Sequence, residues 1–299
     1  MRQQLETPAM SCEAIFDPGH LVSCPALETK QSYSTRDTIL YALGVGAGAT
    51  DLPELQYIYE KDLNALPTMA TVLAHPGAWL RDPLYRINWR MVVHGEQSSI
   101  FHRALPLEGD VMTRQSVISV HDKGAGKGAL IYTRRELFDA VDGELLATLI
   151  QGNLLRGDGG HGSAGDNTAR FPHAVPVDRE PDIVLTLPTR VEQAALYRLL
   201  GDFNPLHIDP VAARTAGYPG PILHGLCSYG MAARAVIATF CDDRPGSLRR
   251  LDLRFTGPVF PGESIRFDIW VEGPGRLALR AVAHERDQVV LNNGYAEHD

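Results

Sequence analysis

Cysteine is scarce in this chain, and no pair of cysteines has metal-binding spacing. The four (Cys12, Cys24, Cys227 and Cys241) are spread over 299 residues without a Cys-x-x-Cys pair. They read as reduced thiols of an intracellular protein, not as a disulfide frame or a zinc site. Long apolar runs are absent as well. No stretch approaches the ~20 apolar residues of a membrane span. Met1-Arg2-Gln3-Gln4-Leu5-Glu6 lacks the apolar core of a signal peptide. Ala296-Glu297-His298-Asp299 is not a peroxisomal address of the Ser-Lys-Leu kind. The expectation is a cytoplasmic protein with no membrane span. Positive charge is in short supply: 28 Lys plus Arg face 36 Asp plus Glu, a net charge of −8. That excludes a general nucleic-acid binder, which needs a basic footprint.

What is present is an ordinary globular composition, 44% hydrophobic and 21% charged. The length suits one large domain or two of about 150 residues. Residues 1–30, with Pro8, Pro18 and Pro25, read as an irregular arm. Ser34 to Gly44 has an N-cap residue, an early acid and a glycine stop, and predicts a short helix. Asp51 to Glu60 suggests a strand, and Leu66 to Leu73 a helix start. Strand and turn signals then alternate from Ser98 to Ile150, with turns at Pro106–Asp110, Asp122–Gly128 and Asp142–Glu144. Gly157 to Asn167 reads as a flexible linker. It contains a literal GxGxxG, Gly160 to Gly165, but no strand precedes it and no helix pattern follows, so it does not cradle phosphates. Gly44 to Ala49 matches the same pattern loosely and ends a helix instead of opening one.

The second half repeats the plan. A helix start at Thr189–Tyr197 matches Thr35–Tyr41. A long apolar helix follows Pro221, and strands run over Arg250–Phe255, Ser264–Val271, Leu277–His284 and Val289–Tyr295. The turns at Gly109 and Gly262 are offset by about 153 residues, as are the two helix starts to within a residue. Two copies of one supersecondary plan is the simplest account. The boundaries expected are an arm at 1–30, a first half at 31–156, a linker at 157–180 and a second half at 181–299. Helix followed by a meander of strands makes each half an α+β unit.

Only the second copy carries Gly201-Asp202-Phe203-Asn204-Pro205-Leu206-His207, followed by Pro221-Ile222-Leu223-His224-Gly225. A carboxylate and an imidazole can together orient and deprotonate a water, then return a proton to carbon. Pro205 bends the chain between Asp202 and His207 so that both can reach one water. Asn204 supplies an amide able to fix either group. Adding water to a conjugated thioester builds enolate charge on the carbonyl oxygen. Gly225, opening the long helix, offers an N–H aided by the helix dipole, with no side chain to block the thioester. Each residue also has a bland reading: Asp202 as an N-cap, His207 as a satisfied core histidine, Gly225 as a packing glycine, His224 as a packing residue. Their joint occurrence in one short window favours a site.

Tyr197 to His207 together with Pro221 to Leu226 resembles the signature of (R)-specific 2-enoyl-CoA hydratases, the MaoC-like group of the hotdog fold. Hotdog thioesterases lack the Asp-x-Asn-Pro-x-His element. Tyr41–Gly46, Tyr57–Glu60, His94–Gln97 and Asp122–Gly124 are similar to the type 2 enoyl-CoA hydratase unit of the peroxisomal multifunctional enzyme. The likeness covers roughly Tyr33 to Tyr295. It implies an α+β double hotdog fold, two repeats that each wrap a long helix in an antiparallel sheet. It implies reversible hydration of (2E)-enoyl-CoA to (3R)-3-hydroxyacyl-CoA. Asp202 and His207 would activate the water, and Gly225 would hold the thioester oxygen. His94, Gly95, Lys123, Asn204 and Phe255 would line the acyl-CoA site, and Glu60 would support activity. Lys123 suits a CoA phosphate and is equally a solvated turn lysine; Glu60 is equally a surface acid. No cofactor or metal is implied, since CoA belongs to the substrate, and the partners are the acyl-CoA thioester and a second copy in a homodimer. The first half lacks the central-helix signature, which fits a pocket widened for a long or bulky acyl chain. The competing readings are a 3-hydroxyacyl-thioester dehydratase acting on a carrier-bound substrate, a non-catalytic acyl-CoA-binding subunit, and, more weakly, a thioesterase.

Overall fold

The computed structural model describes residues 16–50, 54–166 and 173–299. The first part of the expected arm (1–15), the start of the expected strand at 51–53 and the linker's 167–172 lie outside the described residues.

The frame is a single antiparallel sheet. Its first half comprises β1 (Leu27–Tyr33), β2 (Val92–Phe101), β3 (Gly109–Asp122), β4 (Ala129–Asp139) and β5 (Leu145–Leu155), with the short β6 (Ala164–Gly165) beside β3. Its second half comprises β7 (Ile183–Pro188), β8 (Leu248–Phe255), β9 (Ser264–Gly273), β10 (Arg276–Ala283) and β11 (Gln288–His298). Read outward from the middle, the first half runs β2-β5-β4-β3-β1 and the second β8-β11-β10-β9-β7. The orders are equivalent, as a duplication requires. The halves join where β2 pairs with β8, Glu96 opposite Arg254. Arg254 Nε donates to Glu96 Oε1 at 3.0 Å, and the Tyr132 hydroxyl donates to Glu96 Oε2 at 2.7 Å. A charged pair therefore fixes the seam's register.

The helices are α1 (Pro18–Ser23), α2 (Thr35–Gly44), α3 (Leu55–Ile58), α4 (Gln193–Tyr197), α5 (Pro210–Thr215) and α6 (Gly225–Phe240). Only α6 is long. Its residues from Cys227 to Ile237 are all buried, as expected of a helix apolar nearly all round. It packs on β8, β7 and β11. The one charge in that run, Arg234, pairs with the buried carboxylate of Glu54 at 2.6 Å and donates to the Val45 carbonyl at 2.8 Å. This ties α6 to the first half.

Among the described residues the first half has no such helix. The expected start at Leu66–Leu73 makes only a 3-10 turn, Pro67–Thr71. Ala74 then takes a positive φ of 44°, and His75 precedes Pro76, which disfavours helix. Three other expectations are corrected. The described part of the expected strand, 54–60, is not a strand: residues 55–58 are helical, with Glu54 and Tyr57 buried and Ile58 half-buried at i, i+3, i+4 spacing. The described part of the arm is regular. Pro18 sits at the first turn of α1, where its missing N–H costs nothing, and β1 pairs with β3 from Leu27–Gln115 to Tyr33–Gly109. α1 joins a second apolar cluster through Leu21, which packs with Tyr85, Ile87 and Val120. Residues 157–166 are not a flexible connector. The Asp122 carboxylate accepts the N–H groups of Gly124, Gly160 and Gly162, each at 2.8 Å. A Cβ on Gly159 would meet the Gly124 carbonyl at 2.4 Å, so glycine there serves close packing.

Candidate active site

The chain after α4 and a 3-10 turn is a run of side-chain-capped bends. Asp202 Oδ1 accepts the Asn204 N–H at 3.1 Å, and Asn204 Oδ1 accepts the Leu206 N–H at 3.1 Å. Pro205 opens the 3-10 turn that ends at His207, and Asp209 caps α5. The turn is pinned to the segment before α6, with the Ile222 N–H donating to the Leu206 carbonyl at 3.4 Å.

His207 Nδ1 lies 2.8 Å from the Ile222 carbonyl. A carbonyl only accepts, so Nδ1 carries the hydrogen and Nε2 keeps the basic lone pair. His224, the N-cap residue of α6, places Nε2 3.3 Å from the Asp202 carbonyl, and its buried Nδ1 has no partner. The two imidazoles stack, centroids 3.8 Å apart and planes 27° apart. Burial lowers the proton affinity of His207 and, more strongly, of His224, whose pKa falls to about 4 with further help from the His207 charge. Both rings are thus neutral near pH 7, the form a general base needs.

Across from this pair, Gly225 is the first residue of the 16-residue α6, and its N–H has no partner among the described residues. A Cβ there would lie 3.1 Å from two carbons of the Phe255 ring. Phe255 ends β8 and meets His94 edge-on, centroids 4.7 Å apart. His94 is aimed by a bulge: His94 faces Asn153 and Glu96 faces Gly152, leaving Gly95 as the extra residue of β2. His94 Nε2 donates to the Glu96 carbonyl at 3.1 Å, and desolvation brings its pKa to about 4 despite that bond and the nearby Asp202 charge.

The structure therefore brings together Asp202, His207, Gly225, Phe255, His94 and Gly95. Asn204 joins the same loop, but its side-chain oxygen is used as a cap. Lys123 is exposed in the β3–β4 hairpin turn. Through Asp122–Ala129, Ala129–Leu155 and Leu155–Val92 it lies at the same end of the sheet as His94, three strands away. At about 4.8 Å per strand, that is about 14 Å. Glu60 is exposed past the end of α3, and no contact brings it to Asp202 or His207. Sequence reasoning passed over the Glu96–Arg254 pair, although Glu96 sat inside a quoted motif. It also passed over Glu54–Arg234, whose signal was an arginine amid an apolar helix.

One donor atom each from Asp202, His207 and His224 lie within 4.8 Å of one another, close enough to surround a cation. Stacked imidazoles, however, point their in-plane lone pairs side by side instead of at one centre. The trio is better suited to holding protons than a metal.

Two family models match in tandem: the MFE-2 hydratase 2 N-terminal domain over residues 31–157, and the MaoC like domain over residues 170–293. The chain is 40% identical to 3-hydroxyacyl-thioester dehydratase Y of Mycobacterium tuberculosis, over 89% of this chain and 93% of that one. It is 35% identical to the peroxisomal enoyl-CoA hydratase 2 of Arabidopsis thaliana, over 94% and 95%. It spans about half or less of the multifunctional relatives, 46% in Drosophila melanogaster. Among solved structures, a MaoC-like dehydratase from Phytophthora capsici superposes with TM-score 0.84 and 34% identity, covering 94% and 98%. A Mycobacterium tuberculosis protein described as a double hotdog fold superposes with TM-score 0.57 at 16% identity, covering 94% and 98%. The fold is a double hotdog in which only the second repeat has a long helix. With both domain models matched in order and a close relative aligned over nearly its full length, the chain belongs to the MaoC-like dehydratase family, in the form that pairs a hydratase 2 N-terminal half with a MaoC-like half.

Proposed function

We propose that this protein catalyses the reversible hydration of (2E)-enoyl-CoA thioesters to (3R)-3-hydroxyacyl-CoA. The observation that carries the reading is the grouping of Asp202, His207 and His224 within 4.8 Å of one another, directly before the unbonded Gly225 N–H that starts α6. Water held between Asp202 and His207 gives up a proton to this pair while its oxygen bonds to C3. The electron pair of the double bond moves to the thioester oxygen, where the Gly225 N–H and the helix dipole stabilise it. The proton is then delivered to C2, so water is added with no redox change. Run backward, the same steps dehydrate a 3-hydroxyacyl thioester, which is the activity in the name of the Mycobacterium tuberculosis relative. Lys123, at the end of the sheet where His94 lies, suits a CoA phosphate; Asn204 and Glu60 are further proposed contacts. The cysteines among the described residues, Cys24, Cys227 and Cys241, are free thiols, which suits a reducing cytoplasm. No helix among the described residues is long and apolar enough to cross a membrane.

The test is loss of enoyl-thioester absorbance with short and long (2E)-enoyl-CoA, using wild type and Asp202→Asn, with chiral analysis of the product. Hydration to the (3R) alcohol and at least about a hundredfold loss in the mutant are expected. Unchanged hydration by Asp202→Asn would overturn the assignment. Activity on a carrier-bound but not a CoA thioester would favour the dehydratase reading.

A further inference from the structure

Arg135 stands in the middle of β4, where alternate residues (Thr133, Arg135, Leu137) are buried while Arg134 between them is exposed. It faces the interior of the first half, where the Pro67–Thr71 turn packs on β2 and β5 in place of a long helix. The side chain is 6% exposed. One terminal nitrogen donates to the Thr71 carbonyl of that turn; the other, Nη1, is buried without a partner. Among the described residues no carboxylate pairs with it. The contrast with Arg234 is plain, since Arg234 is equally buried but has Glu54 against it. An unpaired guanidinium in a protein interior is costly and uncommon, and such groups are normally paired.

Its surroundings point toward the active site. Desolvation lowers its proton affinity to about 10. The same charge is felt at His94, which feels Asp202 as well, so Arg135 and Asp202 both lie near this one ring. It is felt also at His75, just past the Pro67–Thr71 turn whose Thr71 carbonyl Arg135 binds. By register, Arg135 faces Leu149 and His94 faces Asn153 on the same strand β5. Arg135 is thus about 13 Å farther along the sheet than His94, on its interior side. A thioester held at Gly225 and running past His94 along this interior face of the first half would bring the far part of its acyl chain to the guanidinium.

We propose that Arg135 recognises a carboxylate carried by the acyl chain, so that this protein accepts acyl-CoA thioesters with an acidic far end. The inference rests on the acyl-CoA reading above. A carboxylate there accepts the free Nη1 hydrogens in a charge-assisted bond and neutralises the buried charge. A chain ending in methyl leaves that charge unpaired. Selection would then follow from the penalty on the wrong substrate as much as from the contact with the right one.

The test separates binding from chemistry. Saturated acyl-CoA thioesters, unable to react, are titrated calorimetrically into wild type, Arg135→Leu and Arg135→Lys. A series of chain lengths is used, each length ending either in methyl or in carboxylate. In wild type, carboxylate-ended chains are expected to bind about tenfold or more tighter than methyl-ended ones at one favoured length, the scale of a hydrogen bond to a charged group. Arg135→Leu should lose that preference and bind methyl-ended chains as well as wild type or better. Arg135→Lys should keep part of the preference. Equal binding of both series by wild type at every length overturns the proposal, whether or not the variants fold. A preference that persists in a folded Arg135→Leu overturns it too. Enoyl-CoA hydration measured alongside is independent: failure there with the preference intact would remove the proposed reaction but not the recognition.

Discussion

Replacing Gly225 by alanine separates catalysis from stability more sharply than any other single change. The substitution leaves the backbone N–H in place and adds one methyl. That methyl would lie 3.1 Å from both Cδ1 and Cε1 of Phe255. The ring is also in edge contact with His94, centroids 4.7 Å apart, which limits its retreat. The methyl also occupies the approach that the thioester oxygen needs to reach the N–H. Losing one such donor typically costs ~3–4 kcal/mol of transition-state stabilisation, so kcat/KM should fall by about two to three orders of magnitude. Folding stability should move little, because the ~0.5–1 kcal/mol helical preference for alanine over glycine is opposed by the crowding of the Phe255 ring. The assays are enoyl-CoA hydration and thermal unfolding on the same preparation. Phe255→Ala combined with Gly225→Ala should recover part of the loss if ring crowding is the cause, a coupling that a double-mutant cycle reads directly. Activity of Gly225→Ala within threefold of wild type would refute the assignment of this N–H as the oxygen holder.

Acid should destabilise the protein over a defined range. His94 and His224 have folded pKa values of about 4, below the usual value near 6.5, so the unfolded chain binds more protons between those values. Stability is then constant above about pH 6.5 and falls as pH drops toward 4, by up to about 3 kcal/mol for His224, as followed by denaturant titration at stepped pH. Breaking the Glu54–Arg234 pair by Glu54→Leu should cost about 3–5 kcal/mol, and adding Arg234→Met should return most of it; a double variant no more stable than the single would contradict this account. Lys123→Glu should raise KM for CoA thioesters, most at low salt, while leaving short N-acetylcysteamine thioesters unaffected. With no long helix in the first half, long-chain enoyl-CoA should be hydrated at least as well as crotonyl-CoA; activity confined to crotonyl-sized substrates would remove the idea of a widened acyl space.

Much of the site was legible because its residues are close in sequence. Asp202, Asn204 and His207 share one capped loop, and His224-Gly225 lies in the segment hydrogen-bonded to it. The duplication was legible for the same reason, since turns and helix starts recur at a fixed offset. What could not be read was long-range or depended on fine geometry. Glu96 and Arg254 are far apart in sequence and meet only because β2 and β8 form the seam. Pro18 and Pro25 read as breakers, yet one opens α1 and the other precedes β1. The glycines of 157–165 looked like slack, and their true cause is the carboxylate of Asp122, which gathers three of the surrounding N–H groups. Composition reports flexibility and close packing by the same residue, and only the partner tells them apart.

The seam also explains how a duplicated fold comes to hold one site built from unequal halves. In the proposed site the second half contributes the Asp202 carboxylate, the His207 ring and the helix N-terminus at Gly225. The first contributes His94 through a bulge in the very strand that forms the seam. Phe255 and Arg254 are neighbours on β8, so the residue that shapes the pocket is anchored by the one that pairs with Glu96. Because Glu96 and His94 flank Gly95, the ion pair sets the positions of both rings at once. The helix asymmetry completes the division of labour. α6 fills its half with apolar side chains and, in the proposed reaction, presents its dipole to the thioester oxygen, whereas the half with the Pro67–Thr71 turn has Arg135 facing inward with a guanidinium nitrogen unpaired among the described residues. A first half carrying a second long helix would bury that space, and the chain would then hold an acyl thioester only by its reacting end.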